Sequence, residues 1–317
     1  MKDVFVDHLS FALGDQVCSV EESAARGRLY SSASSLKGAG FRQHYLCRPG
    51  ITAYDLARTA VSAIRGDLGE IDAIVYATCI PCNGTIGEER KFRSTRDVKD
   101  LMDFPASHLQ SDFELHKAFV IGLNQQACTG MLGSLRIARM LLLAEPEARR
   151  ILCVTADRFP EGASYEQSYN LISDGAAACL VSTEPGGFRW IAGHAITNGS
   201  MARASDDEVV GGYFAYTHRL IQETLARAEL EMADVDWIVP QNTNVKAWQI
   251  LARFLNVDLE RIFFPTLGEF GHVISGDNLI NLKRLLEERR VRDGDRVLLV
   301  MTGYGANWQC VILERRS

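Results

Sequence analysis

The strongest constraint on this chain is that its two halves repeat one plan. Residues 53–75 align with 217–239 at a constant offset of 164 and without a gap. The alignment brings Leu56 onto Leu220, Leu68 onto Met232, Ile71 onto Val235, Asp72 onto Asp236 and Ile74-Val75 onto Ile238-Val239. Each copy reads as a helix, a short acidic turn and a continuous apolar run, the pattern of a strand covered on both faces. A second echo follows. The helical pattern Leu135, Ile137, Ala138, Leu141, Leu142 leads to a strand at Ile151–Thr155, as a helix at Leu279–Arg290 leads to a strand at Val297–Met301. This alternation predicts an α/β protein made of two related halves. The join falls between residues 160 and 190, where Glu184-Pro-Gly-Gly187 is the clearest turn. We set the halves at 1–170 and 171–317.

Local patterns fill in the first half. Val4, Val6, His8 and Ser10 begin an extended stretch, and the Ser/Gly-rich segment Ser31–Gly40 reads as a loop. Tyr54–Ile64 has helical spacing and Ile71–Ala77 is a buried strand. Residues 90–103 are charged and read as exposed, up to a break at Phe104-Pro105. With 47% hydrophobic and 23% charged residues, the 317-residue chain can bury a sizeable core. A net charge of −6 argues against a nucleic-acid surface. There is no run of about 18 purely apolar residues, and MKDVFVDHLS lacks the apolar centre of a signal peptide. The expectation is a cytoplasmic protein with no membrane partner.

Eight cysteines in such a chain are expected to be thiols. Cys79-Ile-Pro-Cys82 has the spacing of a redox pair or half a zinc site. No second pair follows at zinc spacing, so it reads as a strand end running into a proline turn, and no metal site is expected. Cys128 stands apart. It lies in Asn124-Gln-Gln-Ala-Cys128-Thr-Gly-Met-Leu-Gly133, directly before a helix. There the positive dipole end and unpaired N–H groups favour a thiolate.

The pattern Asn124-x-x-Ala-Cys128-x-Gly-x-x-x-Ser-Leu135 resembles the nucleophile segment of thiolase-fold condensing enzymes, particularly the β-ketoacyl-acyl carrier protein synthase III family. Other segments follow in the family's order. Ser173-Asp-Gly-Ala-Ala177 resembles its GDGA segment. Ile238-Val-Pro-Gln-Asn-Thr-Asn244 sits where the family has P-H-Q-A-N, and Phe270-Gly-His272 where it has Y-G-N. Gly294-Asp-x-Val-Leu-Leu-Val300 followed by Gly303-Tyr-Gly-Ala-Asn-Trp308 resembles its C-terminal strand and glycine loop.

The resemblance implies a thiolase fold, a five-layer αβαβα sandwich with the nucleophile in the first half and Gln241 and His272 in the second. It also implies a Cys–His–Asn triad that this chain alters. Cys128 matches the nucleophile, Gln241 stands at the usual histidine position, and His272 at the usual asparagine position. The N–H of Cys128 and the loop Gly303, Tyr304, Gly305 fall at the oxyanion site. Asn242, Asn244, Lys246 and Arg42 fall where the family meets the thioester or its pantetheine arm. Asn242 and Asn244 equally suit a helix cap, and Lys246 a solvated face.

On chemical grounds His272 is a proton acceptor near neutral pH. Gln241 offers an N–H to a carbonyl or enolate oxygen but exchanges no proton. Asp277 reads as a helix N-cap. Five residues from His272 is about 140° around a helix, so Asp277 is not expected to orient the histidine. His108 and His116 are expected to be structural, and the acyl-pocket wall is expected from Asn83–Gln110.

The implied activity is an acyltransferase or condensing enzyme that takes an acyl group from acyl-CoA or a phosphopantetheinyl acyl carrier protein onto Cys128, without a bound cofactor, and passes it to an acceptor. Specialised-metabolite or fatty-acid-like biosynthesis is the expected setting. Decarboxylative Claisen condensation with a malonyl thioester is the alternative within the class. A non-catalytic partner subunit is the alternative outside it. A homodimer is expected.

Overall fold

The computed structural model describes residues 2–87, 89–167, 170–303 and 306–316. The first half runs β1 (Phe5–Leu13), β2 (Gln16–Ser19), α1 (Val20–Ala25), α2 (Ala33–Gly38), β3 (Gln43–Leu46), α3 (Ala53–Ser62) and β4 (Ala73–Ala77). It continues through α4 (Glu89–Thr95), α5 (Pro105–Asp112), β5 (Phe119–Leu123), α6 (Gly130–Ala144), β6 (Arg150–Asp157) and the short pair β7 (Glu166–Gln167) and β8 (Asn170–Leu171). There follow β9 (Gly175–Ser182), β10 (Phe188–Thr197), α7 (Asp206–Ala228), β11 (Trp237–Pro240), α8 (Val245–Leu255), α9 (Leu267–Phe270), α10 (Asp277–Glu287), β12 (Arg296–Gly303) and β13 (Asn307–Arg315).

Nine strands join in the order β11-β12-β13-β10-β1-β9-β6-β4-β5. The array folds into two faces that meet where β1 touches β10 at only two residue pairs, Phe5 with Arg189 and Val6 with Phe188. Apolar side chains divide into three main layers between and outside those faces. Leu56, Ala57 and Ala60 of α3 and Leu109 of α5 pack on β4, β6 and β9. Leu132, Leu135 and Leu142 of α6 with Leu279, Leu282 and Leu285 of α10 fill the centre. Leu220 of α7 and Trp248 and Leu251 of α8 cover β11, β12 and β13. The result is the five-layer αβαβα thiolase fold.

The repeat seen in the sequence has a backbone cause. Strands β4 and β6 pair in parallel from Ala73 opposite Ile151, and β11 and β12 from Trp237 opposite Val297. The aligned aspartates do the same work just ahead of each pair. Asp72 N donates to Arg150 O at 2.9 Å, and its Oδ2 accepts from Arg149 N at 2.7 Å and Arg150 N at 2.9 Å. Asp236 N donates to Arg296 O at 2.9 Å, and its Oδ2 accepts from Arg296 N at 2.8 Å. Each carboxylate satisfies amides that the ladder has not yet reached.

One local expectation changes. The segment Ser31–Gly40 is not a plain loop: it contains α2, capped by Ser32, whose side chain accepts from Ser35 N. Leu36 buries beside Val20 and Phe41, and that contact offsets the poor helix propensity of the serines. Residues 90–103 are mostly solvent-facing, as expected, and only Asp100 turns inward, against Lys91 and Thr95. By length and composition Ala127–Ala144 would cross a membrane, with a mean hydropathy of 1.3. Its apolar side chains instead fill the central layer between the two faces of strands.

Candidate active site

The site forms where the N-terminus of α6 meets the segment between α9 and α10. A single 3-10 turn, Ala127–Thr129, runs directly into α6 and places Cys128 at the helix start, 5% exposed. Ala127 holds φ 46°, a strained value for a residue with a Cβ. Neighbours hold it there: Ser275 Oγ donates to Ala127 O at 3.2 Å, and Thr129 Oγ1 donates to Gln126 O at 2.7 Å. Gly130 eases this closeness, since a Cβ there would lie a tight 3.1 Å from the Ala77 Cβ and 3.3 Å from Ser275 Oγ.

His272 enters from the other half. Its backbone bridges to the β8 region: His272 N donates to Leu171 O at 2.7 Å, and Ser173 N donates to His272 O at 2.9 Å. The ring is fully buried, with Nε2 3.4 Å from Cys128 Sγ and Nδ1 2.5 Å from Asp277 Oδ2. A carboxylate only accepts, so Nδ1 carries a proton and Nε2 faces the sulfur. Burial alone pushes the imidazolium pKa down. The charges of Asp277 and Cys128, with hydrogen bonds to both, outweigh it and raise His272 to about 10. The geometry is a Cys–His–Asp triad with an imidazolium beside the sulfur, an arrangement that stabilises a thiolate.

The orienting role of Asp277 corrects the sequence reading. Residues 271–273 are not helical and Ile274–Gly276 form only a single 3-10 turn: Gly271 has φ 66°, Ile274 has φ 48°, and the α-helix α10 begins at Asp277. The chain doubles back, so the five-residue separation becomes a direct contact. Nor is Asp277 the N-cap of α10, a place held by Gly276. Its carboxylate also accepts from Val273 N at 2.7 Å and Asn242 N at 2.7 Å, which locks it against both arms of the site.

Residues 124–199 match the 3-oxoacyl-[acyl-carrier-protein] synthase III family profile, and residues 225–315 match the profile of its C-terminal part. Together they span more than half of the chain and include Cys128, Gln241, His272 and Asp277. The chain belongs to the 3-oxoacyl-[acyl-carrier-protein] synthase III family. Among its relatives, the β-ketoacyl-[acyl-carrier-protein] synthase III of Wolbachia pipientis wMel is 23% identical, over 87% of this chain and 88% of that one. Among solved structures, the acyltransferase ChlB3 superposes with a TM-score of 0.83 at 18% identity, covering 99% of this chain and 98% of that one. The 3-oxoacyl-(acyl carrier protein) synthase III of Pseudomonas aeruginosa PAO1 gives 0.79 at 21% identity, covering 99% of each. Family membership makes this chain an enzyme of acyl-thioester chemistry.

The other residues expected from synthase III membership divide into three groups. Gln241 lies at the end of β11 and is buried. Its Oε1 accepts from Thr302 N at 2.5 Å and its backbone O accepts from Trp248 Nε1 at 3.2 Å, so what its amide can offer a substrate is Nε2. Gly303, the next residue after Thr302, lies against the nucleophile's backbone. A Cβ there would be 2.8 Å from Gln126 O and 3.3 Å from Cys128 N. Tyr304 and Gly305 lie outside the described residues.

Asn242 is not a pantetheine contact. It is fully buried; its Nδ2 donates to Thr266 Oγ1 at 2.9 Å and to Gly271 O at 2.8 Å, and its Oδ1 accepts from Asn281 Nδ2 at 2.9 Å. With all these groups engaged, it ties β11 to the His272 arm. Asn244 caps α8 by accepting from Lys246 N at 2.9 Å. Arg42 and Lys246 are exposed and share one surface, where Val245 N donates to Ala39 O at 3.0 Å and Arg42 lies against Gly268. His108 pairs with Asp103 at 2.5 Å on α5, and His116 is exposed.

The cavity on the Cys128 sulfur has a volume of about 170 Å³ and is walled by Cys79, Ile80, Phe159, Pro160, Ala163, Gln167, Ile172 and Ile274. Among the described residues, none of 83–110 lines it. Gly84 and Phe104–Ala106 instead border a separate cavity of about 280 Å³ with Tyr76, Val120 and Leu123. Sequence reasoning missed Asp277 as a partner, Cys79 as a pocket wall, and Asp157. This last, fully buried carboxylate accepts from Thr78 Oγ1 at 2.6 Å, Cys79 N and Ile80 N at 3.0 Å and Asn83 Nδ2 at 3.1 Å. Burial raises its pKa to about 6 against those bonds. Cys79-x-x-Cys82 was the one signal that pointed to this wall. Among the described residues, no group of three or more His, Cys, Asp or Glu side chains is arranged to hold a metal ion.

Proposed function

We propose that this enzyme is an acyltransferase. It loads an acyl group from a CoA or acyl-carrier-protein thioester onto Cys128 and delivers it to a hydroxyl or amine acceptor. The observation that carries this reading is the buried His272, held 3.4 Å from Cys128 Sγ by Asp277 on its far nitrogen. In loading, the thiolate attacks the donor carbonyl, and the leaving thiolate takes the His272 proton. The new thioester is neutral, so one of the two charges that raise the His272 pKa is gone. That pKa falls, and the imidazole becomes a base for the acceptor's proton. As the acceptor attacks, its proton passes to Nε2, the carbon–sulfur bond breaks and the thiolate returns. Cys128 N beside Gly303 serves the oxyanion, and Nε2 of Gln241 is a further donor toward it. The likeness to ChlB3, itself described as an acyltransferase, supports the reading.

A pocket near 170 Å³, well below the usual 300 Å³ or more of drug-sized sites, suits a short acyl group. Arg42 and Lys246, both exposed, are the cations assigned in this proposal to the donor's phosphates. Decarboxylative condensation asks for donors to an enolate rather than a base for an acceptor, and the Asp277 carboxylate on Nδ1 favours Nε2 as that base. Incubation with a malonyl thioester and an acylated enzyme tests the choice: no CO₂ release, with transfer to a hydroxyl or amine acceptor, is expected. Stoichiometric CO₂ with a β-ketoacyl product would replace transfer by condensation. Failure of both reactions with every donor would favour the non-catalytic subunit.

We also propose a homodimer that pairs through β5. This strand ends the sheet and exposes Phe119 and Val120, at 50% and 40%, beside Phe104 at 51%. An apolar open edge of this kind is normally covered.

A further inference from the structure

The wall of the acyl cavity holds a second thiol that the transfer chemistry does not use. Cys79 follows β4, and Asp157 fixes its position by accepting from Cys79 N with both carboxylate oxygens at 3.0 Å. Its Sγ lies 4.0 Å from Cys128 Sγ, and both sulfurs face the same cavity, between Ile80, Phe159 and Ile274. A disulfide needs about 2.0 Å. The two sulfurs are thus about 2 Å short of bonding distance. Cys82, the other half of the C-x-x-C, is exposed on the following turn.

We propose that Cys79 and Cys128 form a reversible disulfide when the enzyme meets hydrogen peroxide, with Cys128 attacking the oxidant and Cys79 resolving the product. The roles follow from the two environments. Cys128 has the imidazolium of His272 beside it, which favours its thiolate form. The hydrogen bond to Cys128 and then burial push the Cys79 pKa up, so Cys79 stays a thiol until its partner is oxidised. Peroxide is small enough for the 170 Å³ cavity, a water's share of liquid volume being about 30 Å³.

In the first step the Cys128 sulfur bonds to one peroxide oxygen and the O–O bond breaks. The departing hydroxide takes the His272 proton and leaves as water. In the second, Cys79 sulfur attacks the Cys128 sulfenic sulfur, the S–O bond breaks, and hydroxide leaves as water with the Cys79 proton. Two thiols and one peroxide thus give one disulfide and two waters, a two-electron oxidation of sulfur matched by reduction of the peroxide. The disulfide removes the nucleophile from acyl transfer. It also keeps Cys128 from the irreversible sulfinic and sulfonic acids.

The inference rests on the reactive Cys128 of the proposed function, but its readout needs no acyl transfer. Purified full-length protein is treated with graded peroxide, split in two with one half then reduced by dithiothreitol, and mapped by mass spectrometry. The expected result is a Cys79–Cys128 cross-linked peptide, lighter by about 2 Da than the two thiol peptides, with reduction restoring Cys128 to alkylation. Cys79→Ser should lose that recovery and gain about 32 Da on Cys128, the mass of a sulfinic acid. Cys82→Ser should behave as the wild type. Sulfinic acid appearing on wild-type Cys128 as fast as on Cys79→Ser, or a cross-link running through Cys82, would overturn the proposal. The wild-type cross-link map stands even if Cys79→Ser folds poorly. A cross-link in a protein that accepts no acyl group would remove the proposed function and leave this inference. An acyl-enzyme without the cross-link would do the reverse.

Discussion

At the residue scale the account turns on one imidazole caught between a sulfur and a carboxylate. Cys128 and His272 were legible in the sequence, because a cysteine at a helix start and a histidine in a family position are local signals. Asp277 was not, since its contact depends on positive φ at Gly271 and Ile274, and a helical wheel assumes those residues away. Asn242 was misread for a related reason: its burial follows from where the His272 arm packs, not from its neighbours in sequence. Asp277→Asn should slow acyl transfer by roughly 10²–10⁴-fold, because the amide no longer fixes the proton on Nδ1. Gln241→Ala should slow it by less than about tenfold, having no proton to exchange. Steady-state rates on both variants check this ordering, and equal losses would reject it. The pH dependence has a definite sign. His272 is raised from 6.5 to about 10, so its contribution to stability is complete below about 6.5 and is lost as pH rises through 10. The stability lost in Asp277→Asn should therefore be largest below about pH 6.5 and shrink as pH rises toward and through 10, as urea unfolding would show.

At the element scale the duplicated helix–strand units were readable without any family knowledge. Asp72 and Asp236 carry the explanation: both precede a strand and both feed amides of the neighbouring strand. They differ in load. Asp72 is half-buried and accepts from two amides, whereas Asp236 is exposed and accepts from one. Asp72→Ala should cost about 2 kcal/mol and Asp236→Ala under about 1 kcal/mol, by denaturant midpoints at constant m-value. A larger loss at Asp236 would contradict the accounting. What the pattern could not show was α2, whose serines read as loop until Leu36 is seen packed on Phe41. Nor could it show which wall faces the sulfur. Cys79 and Ile80 reach the cavity because Asp157, far away in sequence, gathers the amide donors of Cys79, Ile80 and Asn83 and the Thr78 hydroxyl.

At the scale of the whole molecule, the central layer of α6 and α10 makes the site possible. The sulfur comes with one helix, the imidazole arrives just ahead of the other and the carboxylate on that helix's first residue, so neither half holds the triad alone. The outer edge at β5 has its own test. Sedimentation should find a dimer for the wild type and a monomer for Val120→Lys, and a monomeric wild type would contradict pairing there. The most direct measurement is of the acyl-enzyme itself. Intact-protein mass spectrometry after incubation with a short acyl-CoA should show one acyl group on Cys128, absent in Cys128→Ala. On addition of an amine or hydroxyl acceptor that group should be discharged in the wild type and retained in His272→Ala. An acyl group that still loads on Cys128→Ala, or that leaves His272→Ala as fast as the wild type, would contradict the account.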